Sequence, residues 1–314
     1  MSENPLQDLT RHFDEVKDPR VQGRVAHKLS DIIAIAVVGV LCGANSWSEI
    51  ETVGKSKEEW LRQYLELPKG IPSHDTFGRV FGLLDAAVFE AGFETWVETS
   101  FRRSPGQVVA VDGKKARGSQ QRGIGKEALH LIRAWASEDR LVLGQHKVAE
   151  GANEITTIPE LLQALNLTGC VVTIDAIGCQ KAIAQTILDR KADYVLAVKD
   201  NQAHLRQDLE DWFAHARQLD FEGMQHDFHQ TVNKTSGRIE TRRAWAISEP
   251  LAFEYIRHHQ GWPGLQTIVL IERERQQGDK LQRERVYFIS SLPCDARRLL
   301  HCVRHHWSIE NSCH

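Results

Sequence analysis

The middle of the chain alternates continuously apolar, β-type runs with amphipathic helical segments, and this alternation restricts the possible folds more than any other feature. The segments follow one another in the order QVVAVDGKK (107–115), ITTIPELLQALNL (155–167), CVVTIDAIG (170–178), QKAIAQTILDRKA (180–192) and DYVLAVKDNQ (193–202). Apolar strands that are joined through helices pair in parallel, with right-handed crossovers. The sequence therefore predicts buried parallel strands with helices packed on the sheet.

A predicted hairpin adds antiparallel pairing to this sheet. The segments 128–137 and 140–148 alternate in hydrophobicity around Glu138 and Asp139, as expected of two strands joined by a tight turn. The run at 107–115 is expected to end at an Asp-Gly turn. Together these patterns predict a mixed sheet in a three-layer α/β fold.

The regions on either side of this core have different patterns. Residues 1–103 read as helical and are predicted to form a separate N-terminal domain, which a break at RRSPG (102–106) divides from residues 104–314. Within the second domain, 220–292 carries three further β-type runs. The stretch from Asp295 onward contains no Pro or Gly and predicts one helix that docks on the sheet.

Composition limits the cellular locations and the binding partners that we expect for this protein. The longest apolar run, IIAIAVVGVLCG, has twelve residues, which is too short to span a bilayer, so we expect a buried helix of a cytoplasmic protein. The six cysteines include no CxxC pair, which is typical of free thiols in a reducing compartment. The net charge of −3 gives no global attraction to a polyanion, so a nucleic-acid surface would require local clusters of basic residues.

Two aspartates occupy matching places on two apolar runs. Asp112 follows VVAV and Asp175 follows VVTI. A carboxylate at the end of a hydrophobic strand costs free energy unless it is paired, hydrogen-bonded or bound to a cation. A simple tight turn at Asp112-Gly113 is the alternative for the first acid. Two acids in the same context favour a ligand crevice at the strand ends.

If the two strands are neighbours, the two carboxylates converge, and a divalent cation is needed to neutralise their repulsion. Oxygen-only ligands favour Mg²⁺ or Mn²⁺ over zinc. Glu310, on the predicted terminal helix, is the candidate for a third carboxylate. Two metal ions held by three acids are suited to in-line displacement at a phosphodiester.

Three segments that contain these acids resemble the acidic motifs of a known family. VAVDGKKARGS (109–119), TIDAIGCQ (173–180) and RHHWSIENSCH (304–314) look like the motifs of the ISAs1, or H-repeat-associated, transposases of the IS4-like DDE group. The resemblance covers nearly the whole chain, and residues 1–103 look like the family's transposase-associated domain. The family's third motif continues beyond the position of His314, so the chain is expected to be truncated just after the helix that carries the glutamate.

The resemblance implies a fold and an activity. It implies an RNase H-like catalytic core in 104–314, with a β-rich insertion at about 220–292 and with Asp112, Asp175 and Glu310 as the catalytic, metal-binding acids. The implied activity is Mg²⁺-dependent cleavage at transposon ends followed by strand transfer, with Mn²⁺ as a possible substitute. The implied partners are transposon-end DNA and target DNA, with a homodimer in the synaptic complex and association with the bacterial nucleoid.

Several basic and polar residues are candidates for contact with DNA. They lie beside the first acid, on one β-type run of the insertion, and on the terminal helix: Lys114, Lys115, Arg117, Arg238, Arg242, Arg304, His306 and Asn311. Phosphate contacts of this kind position DNA without reading its sequence. A plain solvated charged surface is the alternative for the loop and strand residues.

Three other functions remain open at the level of the sequence. A truncated, non-catalytic remnant would bind DNA and interfere with active relatives. A metal-dependent nuclease would cut DNA without joining it. A two-carboxylate glycosidase is disfavoured, because apolar strand-end aspartates on a mixed sheet suit a cation better than a sugar.

Overall fold

The structure is a computed structural model that describes residues 4–21, 23, 25–100, 104–116, 129–139, 141–235, 237–257, 259–278 and 280–312. Within these ranges the side chains of residues 5, 98, 116, 235, 259 and 308–312 are not described. The chain forms two compact units, Met1–Arg102 and Arg103–His314.

The first unit is helical in its described residues. Its helices are α1 (Pro5–Arg11), α2 (Leu29–Leu41), α3 (Trp47–Ser56), α4 (Glu58–Leu61), α5 (His74–Phe81) and α6 (Ala86–Ser100). Helix α2 lies at the centre of this unit, because six consecutive residues, 32–37, are all buried. Ser46 and Ser73 accept backbone N–H groups and so fix the starts of α3 and α5. In the described part of the chain, no helix combines the length and the apolar character needed to cross a membrane.

The second unit contains all nine described strands. They are β1 (Val108–Ala116), β2 (Leu129–Ala136), β3 (Leu141–Lys147), β4 (Val171–Ile174), β5 (Asp193–Val198), β6 (His226–Thr235), β7 (Arg238–Ile247), β8 (Thr267–Gln277) and β9 (Lys280–Ser290). The α-helices described in this unit are α7 (Glu154–Ala164), α8 (Lys181–Asp189), α9 (Ala203–Gln218), α10 (Pro250–Tyr255) and α11 (Ala296–Ser312).

All nine strands form one mixed sheet, in the order β3-β2-β1-β4-β5-β9-β8-β7-β6. Strands β1, β4 and β5 pair in parallel, and the other neighbours pair antiparallel. The predicted mixed sheet and the hairpin of β2 and β3 are therefore confirmed. The architecture is that of an RNase H-like core that follows a helical region.

Helices cover both faces of the sheet. Helix α11 packs on one face, where its Leu299 and Val303 join an apolar cluster with Val108 of β1 and Val171 of β4. Helices α7, α8 and α9 pack on the other face. On β9, Phe288 belongs to the α11 cluster, so the side chain of the neighbouring Tyr287 points to the opposite face. The ring centroid of Tyr287 lies 6.0 Å from that of Phe213 of α9, which places α9 on that face. The sheet therefore forms the middle of three layers, as predicted.

Two local expectations were wrong. Strand β1 does not end at an Asp-Gly turn: Asp112 pairs with Arg133 and Gly113 with Ile132, so the strand continues along β2 to Ala116. Strand β6 was not among the three predicted runs of the insertion. It is polar and lies at the sheet edge, so burial does not give it an apolar pattern. The insertion extends the core sheet through the pairing of β5 with β9.

Candidate active site at the ends of the parallel strands

Asp112 and Asp175 lie side by side where the parallel pairing of β1 with β4 ends. The last pair of this ladder joins Val111 to Ile174, and the two aspartates are the next residues along the chain. Neighbouring strands are about 4.8 Å apart, and both carboxylates are half-buried. The structure thus brings together the two acids that the sequence placed on separate apolar runs.

The carboxylate of Asp175 is held by the loop that follows β4. Its Oδ1 accepts a hydrogen bond of 3.1 Å from the backbone N–H of Ile177, which caps a short 3-10 helix at Ala176–Gly178. Asn201, which follows β5, donates from Nδ2 to the backbone oxygen of Ala176 over 2.5 Å. Because two neighbouring strand ends brace this loop, the direction of the Asp175 side chain is set before any ligand binds.

The glycine after Asp112 leaves room for a side chain that approaches β1 closely. A Cβ atom at Gly113 would lie 2.2 Å from Oε1 of Glu154, at the start of α7 on the opposite face of the sheet. The same oxygen of Glu154 lies 2.7 Å from Nε2 of His130 on β2. Sequence reasoning missed Glu154 and His130 because they are distant in the chain. The glycine inside a strand was the signal that another group approaches the backbone closely.

Helix α11 runs in the same direction as β1 and β4. Its His301 lies 3.4 Å from Glu138, and further along the helix the hydroxyl of Ser137 donates to the backbone oxygen of His305 over 3.2 Å. Ser137 and Glu138 directly follow Ala136, the last residue of β2, which pairs with Val109 near the start of β1. The helix therefore advances from the start of β1 toward the end that carries Asp112.

One hydrogen bond fixes the position of α11 along the direction of β4. Nδ1 of His306 lies 3.1 Å from Oγ1 of Thr173. Asp175 is about 6.6 Å further along the strand direction, at about 3.3 Å per residue. Glu310 is one helical turn beyond His306, which advances the backbone by about 6 Å. The two advances are similar, so a helix that follows the strand direction would bring the backbone of position 310 level with the two aspartates. The side chain of Glu310 lies outside the described residues.

The donors that are described suit a hard divalent cation. Asp112 and Asp175 offer carboxylate oxygens, which Mg²⁺ and Mn²⁺ prefer. Among the described side chains, no group of three or more His, Cys, Asp or Glu residues is close enough to hold a metal ion. That search does not include Glu310, so the described pair provides two of the three predicted ligands.

Two of the predicted DNA-contacting lysines follow Asp112 on β1. Lys114 is half-buried and shares a face with Asp112 because strand side chains alternate, whereas Lys115 is exposed on the other face. Arg117 lies outside the described residues. The structure thus places one basic side chain on the same face as the first acid.

The outer parts of β7, β8 and β9 form a strongly charged extension, here called the charged arm (238–243, 272–277 and 280–285). Arg238 is exposed at its tip and lies 3.9 Å from Glu240. Arg242 is only 14% exposed and forms an ion pair with Glu240. Burial lowers the pKa of the Arg242 guanidinium, and the nearby Arg304 of α11 acts in the same direction, whereas Glu240 opposes the shift. Of these two predicted contacts, Arg238 is the accessible one.

The three predicted DNA contacts on α11 are in different environments. Arg304 is exposed, and His306 is half-buried and bonded to Thr173, so His306 positions the helix on the sheet. The side chain of Asn311 lies outside the described residues.

Trp307 packs against the apolar cluster of α11, and the guanidinium of Arg273 lies 4.8 Å from its ring centroid. This contact joins α11 to the charged arm.

Comparison with known proteins agrees with this geometry. A model described as "DDE_Tnp_1-associated" matches residues 10–97, and a model described as "Transposase DDE domain" matches residues 103–314. The chain is 40% identical to "Putative transposase YncI" of Escherichia coli O157:H7 over 98% of this chain and 79% of that protein. It is 34% identical to "H repeat-associated putative transposase YhhI" of Escherichia coli strain K12, over 98% of this chain and 82% of the relative.

A third relative has no functional name. The chain is 42% identical to "Uncharacterized protein in dhlA 3'region" of Xanthobacter autotrophicus, over 90% of this chain and 94% of that protein. The two family models together match most of the chain, and their order reproduces the order of a helical region followed by a mixed-sheet core. From these matches, the chain belongs to the DDE transposase family, with the family's associated N-terminal domain, and has H-repeat-associated proteins among its relatives.

Proposed function

We propose that this protein is a Mg²⁺-dependent DNA transposase that cuts at the ends of a mobile element and joins those ends to target DNA. The observation that carries the proposal is the placement of Asp112 and Asp175 on adjacent strand ends, and the bond from His306, one helical turn before Glu310, to Thr173 of β4 supports it. We assign the catalytic role to Asp112, Asp175 and Glu310. In this proposal residues 1–103 are the associated domain and 104–314 are the catalytic domain.

The three acids would hold Mg²⁺, or Mn²⁺ in its place. Metal ions bound there would activate the attacking oxygen and stabilise the leaving oxygen at a phosphodiester. The protein's own contribution is to fix the ligands. The hydrogen bond from the backbone N–H of Ile177 orients Asp175, and the continuation of β1 along β2 orients Asp112. The hydrogen bond between His306 and Thr173 fixes the position of α11 along β4.

DNA would lie across this edge of the sheet. The proposed contacts with its backbone are Lys114, Lys115, Arg117, Arg238, Arg304 and Asn311, with Arg242 and His306 acting through the residues that they bind. Cutting and joining two element ends requires two catalytic centres, so a homodimer is the proposed synaptic form. We place the reaction on DNA in the bacterial cytoplasm.

Substitution of the strand-end acids tests the proposal. We expect Asp112→Asn and Asp175→Asn to lower Mg²⁺-dependent cleavage of a duplex from the ends of the element by at least about a hundredfold, because each change removes a charged ligand. Binding of the same duplex should be retained. The measurement is the initial rate of nicking on a denaturing gel, with joined products scored separately.

Asp211→Asn is the matched control. Asp211 is an exposed acid on α9 that accepts a hydrogen bond from Gln207, and its loss should leave nicking unchanged. Cleavage by both strand-end variants at the wild-type rate would refute the assignment. DNA binding without any cleavage by the wild-type chain would support the alternative of a non-catalytic DNA-binding protein, and cleavage without joined products would indicate a nuclease.

A further inference from the structure

A cleft lies between β6 and α11, and its lining does not include Asp112 or Asp175. Its volume is about 480 Å³, and its lining consists of His229 and Thr231 from β6 and Arg297, Leu300, His301, Arg304 and His305 from α11. Volumes of this size accommodate part of an extended ligand rather than a single ion. The cleft lies entirely within the second unit of the chain.

The lining is basic and contains no acidic residue. Arg297 and Arg304 are both exposed, and within the described side chains neither forms an ion pair with a carboxylate. Two carboxylates lie near the lining: Glu138, on the turn between β2 and β3, is 3.4 Å from His301, and Asp227 of β6 accepts a hydrogen bond of 2.8 Å from the backbone N–H of Ala296, the residue before Arg297. Two permanently charged guanidinium groups and three imidazoles thus meet in one cavity, which favours a ligand with several negative charges.

The cleft also contains a polar atom that lacks a partner. The side-chain oxygen of Thr231 is buried and has no hydrogen-bond partner in the described part of the chain. A buried hydroxyl without a partner costs free energy, and a rotation of the Thr231 side chain toward the cleft would let a ligand oxygen satisfy it. Thr231 lies opposite Arg242 in the pairing of β6 with β7, so the hydroxyl sits beside the charged arm.

The arrangement of the donors along α11 distinguishes between small and extended anions. Arg297 and Arg304 are two helical turns apart, which separates their Cα atoms by about 10 Å along the axis. His301 lies between them on the same side of the helix. A row of donors of this length fits a chain of phosphates better than one free phosphate, because each strand of DNA carries one charge per about 3.4 Å of its axis.

We propose that the cleft between β6 and α11 is a second DNA-binding site, which holds a sugar–phosphate segment apart from the catalytic acids. Arg297 contacts phosphate oxygens in the cleft, and Arg304, which the proposed function also assigns to DNA, lies between this segment and the DNA at the catalytic edge. Thr231, His229 and His301 donate hydrogen bonds to the segment in the cleft. This proposal rests on the proposed function for its ligand, since DNA is the polyanion on which a transposase acts. It adds a site at the border of the packing between α11 and the sheet, where Leu300 of the apolar cluster also lines the cleft.

The test measures DNA binding by the full chain without a divalent metal, so cleavage does not enter the result. We expect Arg297→Gln to weaken binding of an element-end duplex on the order of tenfold at moderate salt. The slope of the logarithm of affinity against the logarithm of salt concentration should fall by about one. Fluorescence anisotropy over a series of salt concentrations gives both quantities.

Arg298→Gln is the matched control, because it removes the same charge from the next residue of the same helix. Arg298 is exposed but does not line the cleft; a Cβ at Gly106 would lie 3.3 Å from its guanidinium. The control variant should keep the wild-type affinity and salt slope. Equal losses in Arg297→Gln and Arg298→Gln would overturn the proposal, because they would show an effect of net charge alone.

A second measurement separates DNA from free phosphate. In the wild-type chain with labelled histidines, the ring resonances of His229 and His301 should shift when the duplex is added, and Thr231→Val should reduce that shift. Inorganic phosphate at the same ionic strength should leave them in place. Shifts with inorganic phosphate but not with the duplex would also overturn the proposal. Cleavage by Asp112→Asn plays no part in either measurement, so the two proposals can fail separately.

Discussion

Two parts of the same sheet are stabilised in different ways. The central strands β1, β4 and β5 are made of apolar residues that are almost fully buried, such as Val109, Val172 and Leu196. The charged arm is exposed on much of its surface and is joined across its strands by ion pairs. The pairs that have ordinary hydrogen-bond lengths are Arg275 with Glu240 at 2.9 Å, Arg285 with Glu272 at 2.9 Å and Arg283 with Glu274 at 2.8 Å.

The central strands and the charged arm therefore differ in how salt affects their stability. Burial of apolar strands is insensitive to salt and keeps the loops after β4 and β5 in fixed positions. Ion pairs between partly exposed side chains contribute less free energy and are weakened by salt.

The largest effect is expected in the central strands. Leu196→Ala removes a side chain of β5 that is fully buried, and we expect the free energy of unfolding to fall by about 2–5 kcal/mol because a cavity remains. Leu281→Ala makes the same change in the charged arm, where the side chain is 50% exposed, and should cost less than about 0.5 kcal/mol. Urea unfolding of both variants checks the difference; similar losses would contradict it.

A smaller effect is expected inside the charged arm. The side chain of Glu272 is 12% exposed and bonds to Arg285, with Arg243 at 3.3 Å. We expect Glu272→Gln to lower the free energy of unfolding by about 1–2 kcal/mol, because two cations lose a partner. Glu284→Gln is the control: its side chain is 53% exposed, and we expect a loss below about 0.5 kcal/mol. The loss for Glu272→Gln should shrink in high salt, and a salt-independent loss would indicate packing instead.

The smallest effect is the pH dependence of the same acid. Burial alone would raise the pKa of Glu272, but the hydrogen bond from Arg285 and the charges of Arg217 and Arg243 outweigh it, and the pKa lies below its ordinary value of 4.5. A carboxyl whose pKa is lowered by folding stabilises the protein above its unfolded pKa and loses that contribution as pH falls. The stability difference between wild type and Glu272→Gln should therefore narrow below about pH 4.5. Urea titrations at several pH values measure this, and a constant difference would contradict the prediction.

The same comparison explains what the sequence could and could not predict. The central strands were predictable because burial on both faces leaves continuous apolar runs, and the acids that interrupt those runs were therefore conspicuous. Asp112 and Asp175 were expected to converge if their two strands were neighbours, and the pairing of Val111 with Ile174 shows that the strands are neighbours. Their catalytic role stays a prediction.

The features that were missed depend on partners far away in the chain. Strand β6 is polar because it lies at the sheet edge, so its pairing with β7 left no hydrophobic pattern. The continuation of β1 through Gly113 depends on pairing with β2 and on the approach of Glu154 from α7. The cleft combines residues of β6 and α11, and neither segment shows a binding motif alone. Local patterns do not specify such long-range contacts.

The position of α11 in the chain has a consequence for synthesis. Strand β4 ends at Ile174, whereas α11 begins at Ala296, after the whole of β6 to β9. At ribosomal rates of about 5–20 residues per second, on the order of ten seconds separates their emergence. During that interval the nascent polypeptide already has both strand-end aspartates but lacks the helix that carries Glu310. On the proposed assignment, a ribosome-bound intermediate would be unable to nick the DNA from which its messenger is being transcribed.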